Sequence, residues 1–309
     1  MTNNHDHPVD KLKQLLCGAQ LPALPQSAIR LLELSKDPEN GPAEFAVPIE
    51  ADPGLTSQVL RFVNSSYFGF SREISTVKLA ITLVGIRTIK NFALWSAVFS
   101  LMPNPRCGSL DLKRLWQDSL RRGLFARSLG KLLGLKDAEE PFAAALLQDM
   151  AVPLLAKELS DRYADLVERR EGGQVKLSDL ERDSFGWTHA QAGALIAENW
   201  NLPDGFAQLI ANHNQPEEQV ETSGRDPSGL AVALSSLLPA TCDASWFELP
   251  RFEAIYRSLC GLELPPLESF LARIDGEVAE FAPVLDLAAP AKTLVASYQE
   301  AHEPTAVAQ

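Results

Sequence analysis

Apolar residues recur along this chain at three- and four-residue spacing, and strictly alternating stretches are absent, so the pattern predicts helices throughout. In Ser27–Leu34 (SAIRLLEL) positions 28, 31, 32 and 34 share one helical face. Gly41–Glu50 reads as a second, short helix. Asp52-Pro53 marks another start, because an Asp side chain accepts from the free N–H groups of a first turn and Pro at its head loses no hydrogen bond. That helix runs through LTSQVLRFVNS and is expected to stop near Gly69. Ser75 is placed to cap TVKLAITLVG, and Ile86–Leu101 forms the next helix.

Pro103, Pro105 and Gly108 then interrupt the pattern, and a subdomain boundary is expected there. Leu112–Leu133 reads as a long amphipathic helix, followed by helices over Glu140–Val152, Leu154–Glu171 and Leu177–Phe185. Thr188 is positioned to cap a helix through Trp200, and Leu202-Pro203-Asp204 starts one that reaches His213. A polar stretch, QPEEQVETSGRDPSG, reads as loop. Beyond it, residues 229–300 read as three or four helices divided at Pro239, Pro250, Pro265-Pro266 and Pro283. The expected fold class is all-α, divided as an extension (1–18), a helical subdomain (19–106), a second helical subdomain (107–220) and a C-terminal helical extension (221–309).

One segment departs from the simple pattern. AALLQDMAVPLL (144–155) places Gln148 and Asp149 in an otherwise apolar run. An unpaired carboxylate there would be costly to bury, so Asp149 calls for a partner. Pro153 has no N–H to offer the carbonyl of Asp149 four residues earlier, which predicts a kink or a helix end at this point.

The totals narrow the field. The 309 residues, 46% hydrophobic and 22% charged, are enough for a sizeable core. The cysteines at 17, 107, 242 and 260 form no CxxC pair, which fits reduced thiols rather than a zinc knuckle or disulfide framework. The N-terminus is polar and partly acidic, unlike a signal peptide, and no run approaches the ~18 apolar residues of a membrane span. A cytoplasmic location without membrane contact is expected. The net charge of −12 argues against general nucleic-acid binding. It is uneven, however: residues 1–136 carry 17 basic and 11 acidic side chains, net +6, and residues 137–309 carry 11 and 29, net −18. Arg61, Arg72, Lys78, Arg87 and Lys90 in the basic half are a candidate surface for an acidic partner or a nucleotide, or simply a solvated face.

Catalytic motifs such as a P-loop, GxSxG or HExxH are absent. Of five histidines, His5, His7 and His302 lie near the termini. That leaves His189, His213 and Asp149 as candidates to converge from separate helices of a bundle, either as metal ligands or as a hydrogen-bonded polar group.

Longer strings carry a resemblance. DPGLTSQVLRFVNSSYFG, AITLVGIRTIKNFAL, LWQDSLRRGLFARSL, AALLQDMAVPLL and the pattern E-x4-G-x2-H-x3-G-x-L-x4-W-x-LP over Glu181–Pro203 together resemble the bacterial HDOD family, over about residues 20–215. That family is similar to HD-domain phosphohydrolases, in which His and Asp residues hold metal ions that activate water against a phosphoester. Carried over on the resemblance, the first His position is Asp118, the His-Asp pair is Gln148-Asp149, the next His is His189, and a His-His pair is His213-Asn214. The late Asp falls in LAVALSSLL, at Ser235 or Ser236. A neutral Gln is a poor transition-metal ligand beside imidazole, so the resemblance implies a degenerate cluster with no catalytic residue, no metal and no cofactor.

The leading expectation is a non-catalytic regulator acting through protein contacts in signalling. Its expected partners are cyclic-di-nucleotide or receiver-domain proteins, with the degenerate cleft as the candidate pocket for a small-molecule ligand. Two alternatives stay open: a metal-dependent phosphodiesterase or phosphohydrolase, and a nucleic-acid-binding regulator using the basic half.

Overall fold

The structure of the protein, a computed structural model, describes residues 8–19, 21–222, 226–259 and 264–303. His5, His7 and Cys260 lie outside them. Among the described residues every regular element is helical, and none is long and apolar enough to cross a membrane. The three described cysteines are free. The segment marked as an N-terminal extension forms α1 (Pro8–Gly18), which buries Leu12 and Leu16.

Five helices follow: α2 (Gln26–Leu34), α3 (Pro42–Glu50), α4 (Pro53–Val63), α5 (Val77–Val84) and α6 (Ile86–Leu101). Asp52 caps α4 as its position predicts, with Oδ1 accepting from Leu55 N at 3.1 Å. The helix ends well before Gly69. Asn64 redirects the chain there: its amide donates to Leu60 O and Ile74 O at 2.9 and 2.8 Å, and accepts from Ile74 N at 2.7 Å. One side chain thus closes the 64–74 loop. Thr76, not Ser75, caps α5, accepting from Leu79 N at 3.3 Å.

The next helices are α7 (Leu112–Leu132), α8 (Glu139–Leu147), α9 (Ala151–Glu158), α10 (Ser160–Arg169), α11 (Leu177–Phe185), α12 (His189–Asn199), α13 (Asp204–Asn212) and α14 (Pro216–Thr222). Two long helices expected from periodicity are each divided, at residues 148–150 and at Leu159. The first break precedes Pro153 rather than falling on it. Pro153 is the third residue of α9, where an N–H would have no partner within the helix, so its absence costs nothing. The Asp149 carbonyl accepts instead from Val152 N at 3.0 Å. Helix α14 lies within the stretch read as loop.

The remainder folds as α15 (Pro227–Ser235), α16 (Leu249–Ser258), α17 (Leu267–Phe281) and α18 (Leu294–His302). Pro250 sits in the first turn of α16 rather than between helices. One core cluster runs from Leu12 to Leu294, continuous across the Pro-rich break at 103–108. Arg61 Nη1 and Nη2 reach Asp286 Oδ1 and Oδ2 at 2.9 and 3.2 Å, so the C-terminal segment is tied to α4. Helix α7 crosses α8 closely because residue 123 is Gly: a Cβ there would lie 2.7 Å from Leu146 Cγ. This crossing positions the residues of the site.

Candidate functional site: a buried His-Asp-Arg cluster

Three donor atoms converge from three places in the fold. Asp149 comes from the turn between α8 and α9, His189 from the first position of α12, and His213 from the residue that ends α13. His189 Nε2 lies 3.2 Å from His213 Nε2 and 3.2 Å from Asp149 Oδ1, and His213 Nε2 lies 3.7 Å from the same oxygen. All three residues are buried. Helices α12 and α13 approach closely enough for this because residue 193 is Gly, where a Cβ would meet Ile210 Cγ2 at 2.9 Å.

The other oxygen of Asp149, Oδ2, receives Arg122 Nη1 from α7. This pair is the main feature that sequence reading missed. The two side chains are 14% and 7% exposed, so the ion pair is shielded from solvent and salt. Burial by itself disfavours the Asp149 charge, but Arg122, followed by the hydrogen bond and charge of His189, holds its carboxyl well below the usual range.

A second buried acid, Glu181, orients His189. Its Oε2 accepts from the backbone N of His189 at 2.7 Å and meets His189 Nδ1 at 2.6 Å. Tyr163 donates its hydroxyl to Oε1. Against the burial penalty, Glu181 and Asp149 raise the His189 pKa to about 10. Burial and the neighbouring His189 charge lower His213 to about 3. His213 Nδ1 lies 2.7 Å from the Ile210 carbonyl, so it carries the proton and Nε2 is left as an acceptor for His189. The result is self-consistent: Arg122 and His189 are cations, Asp149 and Glu181 are their anions, and His213 is neutral.

Asp118, Gln148 and Asn214, also carried over on the resemblance, line the same cleft, which encloses about 210 Å³. Asp118 reaches across to the C-terminal region: Oδ1 accepts from Thr241 N at 2.8 Å, and Oδ2 faces Thr241 Oγ1 at 3.4 Å. Burial raises its pKa to about 6 despite Arg122 and Arg121. Gln148 is fully buried, with Oε1 3.3 Å from Ser235 Oγ. Ser235 therefore packs against Gln148, while Ser236 lines the cleft. Asn214 lines the cleft with its Nδ2 buried and without a hydrogen-bond partner. The outer wall pairs Arg170 with Asp243 at 2.7 Å and Lys176 with Glu248 at 3.4 Å.

Two of the basic residues read as a candidate interaction surface are paired within the chain. Arg61 is engaged by Asp286 and Arg87 by Asp137, at 2.6 Å. Lys90 is partly buried, which lowers its pKa. Arg72 and Lys78 are exposed. Charge counting along the chain could not see these internal pairings.

The donors present do not fit a metal ion of the kind the resemblance implies. A metal needs its ligands' lone pairs free and an excess of negative charge. Here one Asp149 oxygen holds a guanidinium, the first His position holds Asp118 turned to Thr241, and the His of the pair is an amide. The cluster is already neutral without an ion.

The family model of the HDOD domain matches residues 21–216. The cleft residues Ser236, Cys242 and Asp243 lie beyond that match. A crystal structure of an HDOD domain protein with unknown function from Geobacter sulfurreducens is 20% identical with a TM-score of 0.69, covering 89% of this chain and 96% of that one. An uncharacterized protein from Treponema pallidum (strain Nichols) is 24% identical over 205 residues, and the uncharacterized protein YuxH from Bacillus subtilis (strain 168) is 31% identical over 150. Those matches cover 65% and 48% of this chain, but only 39% and 35% of the two curated relatives.

Proposed function

Because the chain belongs to the HDOD domain family, we propose that it is a non-catalytic regulator in signalling, working through contact with a protein partner rather than by phosphoester hydrolysis. The observation that carries this reading is the Arg122–Asp149 ion pair. Hydrolysis of the HD kind needs a metal to activate water, and here the carboxylate that would bind the metal is neutralised by a side chain of the protein itself. Glu181 and Tyr163 hold His189 in a fixed orientation, which suits a structural role.

Contact with a protein is supported by apolar side chains on the two neighbouring helices α3 and α5. Val47, Leu79 and Leu83 are 66%, 42% and 48% exposed, and Lys78 stands beside them. The acidic total charge disfavours nucleic acid as the partner. The reading is tested by assaying the purified protein on phosphomonoesters, nucleotides and cyclic dinucleotides with Mn²⁺, Fe²⁺, Ni²⁺ or Zn²⁺. No turnover above the no-protein rate is expected. Turnover abolished by His189→Gln would overturn the reading.

A further inference from the structure

The spacing of the three donors favours an ion, and the position of Arg122 opposes one. Around a four-coordinate ion with bonds of ~2.05 Å, adjacent ligand atoms lie about 3.3 Å apart. The observed separations among Asp149 Oδ1, His189 Nε2 and His213 Nε2 are 3.2, 3.2 and 3.7 Å. The three atoms therefore already form one face of a coordination polyhedron, of the two-histidine, one-carboxylate type that binds divalent transition ions. What opposes an ion is the charge beside them. Arg122 stands on the same carboxylate and supplies the cation that the buried anions require. A guanidinium cannot be deprotonated to make way, because arginine stays charged at any ordinary pH.

We infer that Arg122 is a tethered cation holding a latent metal site closed, so that on its removal Asp149, His189 and His213 bind a divalent transition metal, the Nε2 proton of His189 being released to solvent as the ion enters. The inference rests on the non-catalytic reading above and gives it a specific cause. Exclusion of an ion from the triad then depends on the Arg122 side chain more than on the amide at Gln148. The fully buried Gln148 adds no charge, and its Oε1 faces Ser235 rather than a member of the triad.

The test compares full-length wild type, Arg122→Ala, Arg122→Lys and the double variant Arg122→Ala/His213→Ala. Each is stripped with chelator and titrated with Zn²⁺ or Mn²⁺, reading bound metal per chain and the shift in melting temperature. Arg122→Ala is expected to take up about one ion per chain and to bind it at least ~100-fold more tightly than wild type. That is the order expected for removing a unit charge a few ångströms away in a partly buried site. Arg122→Lys should resemble wild type, and the double variant should lose the ion. Should Arg122→Ala not fold without metal, Arg122→Gln, which retains an amide donor for Asp149, is titrated in its place.

A folded Arg122→Ala or Arg122→Gln variant that gains no metal overturns the inference. So does a wild-type protein that already binds one ion through His213. Either result leaves the non-catalytic reading standing unless wild type also turns over phosphoesters, so the two failures are distinguishable.

Discussion

His189 and His213 face one another through their Nε2 atoms at 3.2 Å and share a single proton. His189 keeps it, with a pKa raised to about 10, and His213 refuses a second, with a pKa lowered to about 3. In the unfolded chain both titrate near 6.5. Above that pH the folded pair retains a proton that the unfolded chain releases, so the His189 contribution to stability is lost as pH rises toward 10. Below it, the unfolded chain takes up a second proton that the folded pair excludes, so stability also falls as pH drops toward 3. The pair's contribution therefore peaks near neutrality, with limiting slopes of about 1.4 kcal/mol per pH unit on either side. Urea midpoints between pH 5 and 9 should show the alkaline decline in wild type and a flatter profile in His189→Gln. Parallel profiles for the two proteins would contradict the shared proton.

The Arg122–Asp149 pair is expected to be strongly coupled. Removing one partner leaves a buried charge uncompensated, so Arg122→Met should cost about 3–5 kcal/mol. Combining it with Asp149→Asn should cost less than the sum of the single losses by about 1–3 kcal/mol. Denaturant unfolding of the two single variants and the double variant measures this difference, and simple additivity would show that the pair does not form.

Tyr163→Phe tests the support behind His189. The phenylalanine fills the same space but leaves Glu181 Oε1 without its donor. A buried acceptor left unsatisfied costs about 1–3 kcal/mol. The same variant should move the His189 imidazole resonances in an NMR spectrum, since Glu181 is their common neighbour.

Two glycines set the helix crossings that build the cluster. Gly123→Ala would drive a methyl group against Leu146 Cγ at 2.7 Å, and Gly193→Ala against Ile210 Cγ2 at 2.9 Å. Each should destabilise by about 1–3 kcal/mol through overpacking. Gly193→Ala should also weaken the His189–His213 contact, which the pH profile described above would register.

Much of this fold was legible because its signals are local. Helical periodicity and the Asp52 cap need only a few neighbouring residues to be read. The errors fall where a distant group decides the outcome. The helix through AALLQDMAVPLL breaks at 148–150, ahead of the proline that looked responsible, and places Asp149 among partners from α7, α12 and α13. The site was partly legible in the same sense. Asp149 stood out as an acid in an apolar run, and His189 and His213 as the histidines away from the termini, and the three do converge. Arg122 did not stand out, because Arg121-Arg122 resembles an ordinary charged helix face. Yet Arg121 is buried, donating to Lys292 O at 2.8 Å, and Arg122 is largely enclosed. Two adjacent arginines between apolar turns on a helix with Gly123 and Gly130 are the available clue that this helix is enclosed. Glu181 was visible only as the first letter of a motif, since its role depends on the backbone N–H and ring of a residue eight positions later.

Whether a side chain takes the place of the metal can be read from a crystal structure determined from crystals grown in millimolar MnCl₂, with anomalous data. The Arg122 guanidinium is expected on Asp149, with no anomalous peak within the Asp149–His189–His213 triangle. A manganese peak bound to those three residues, with Arg122 displaced from Asp149, would contradict it.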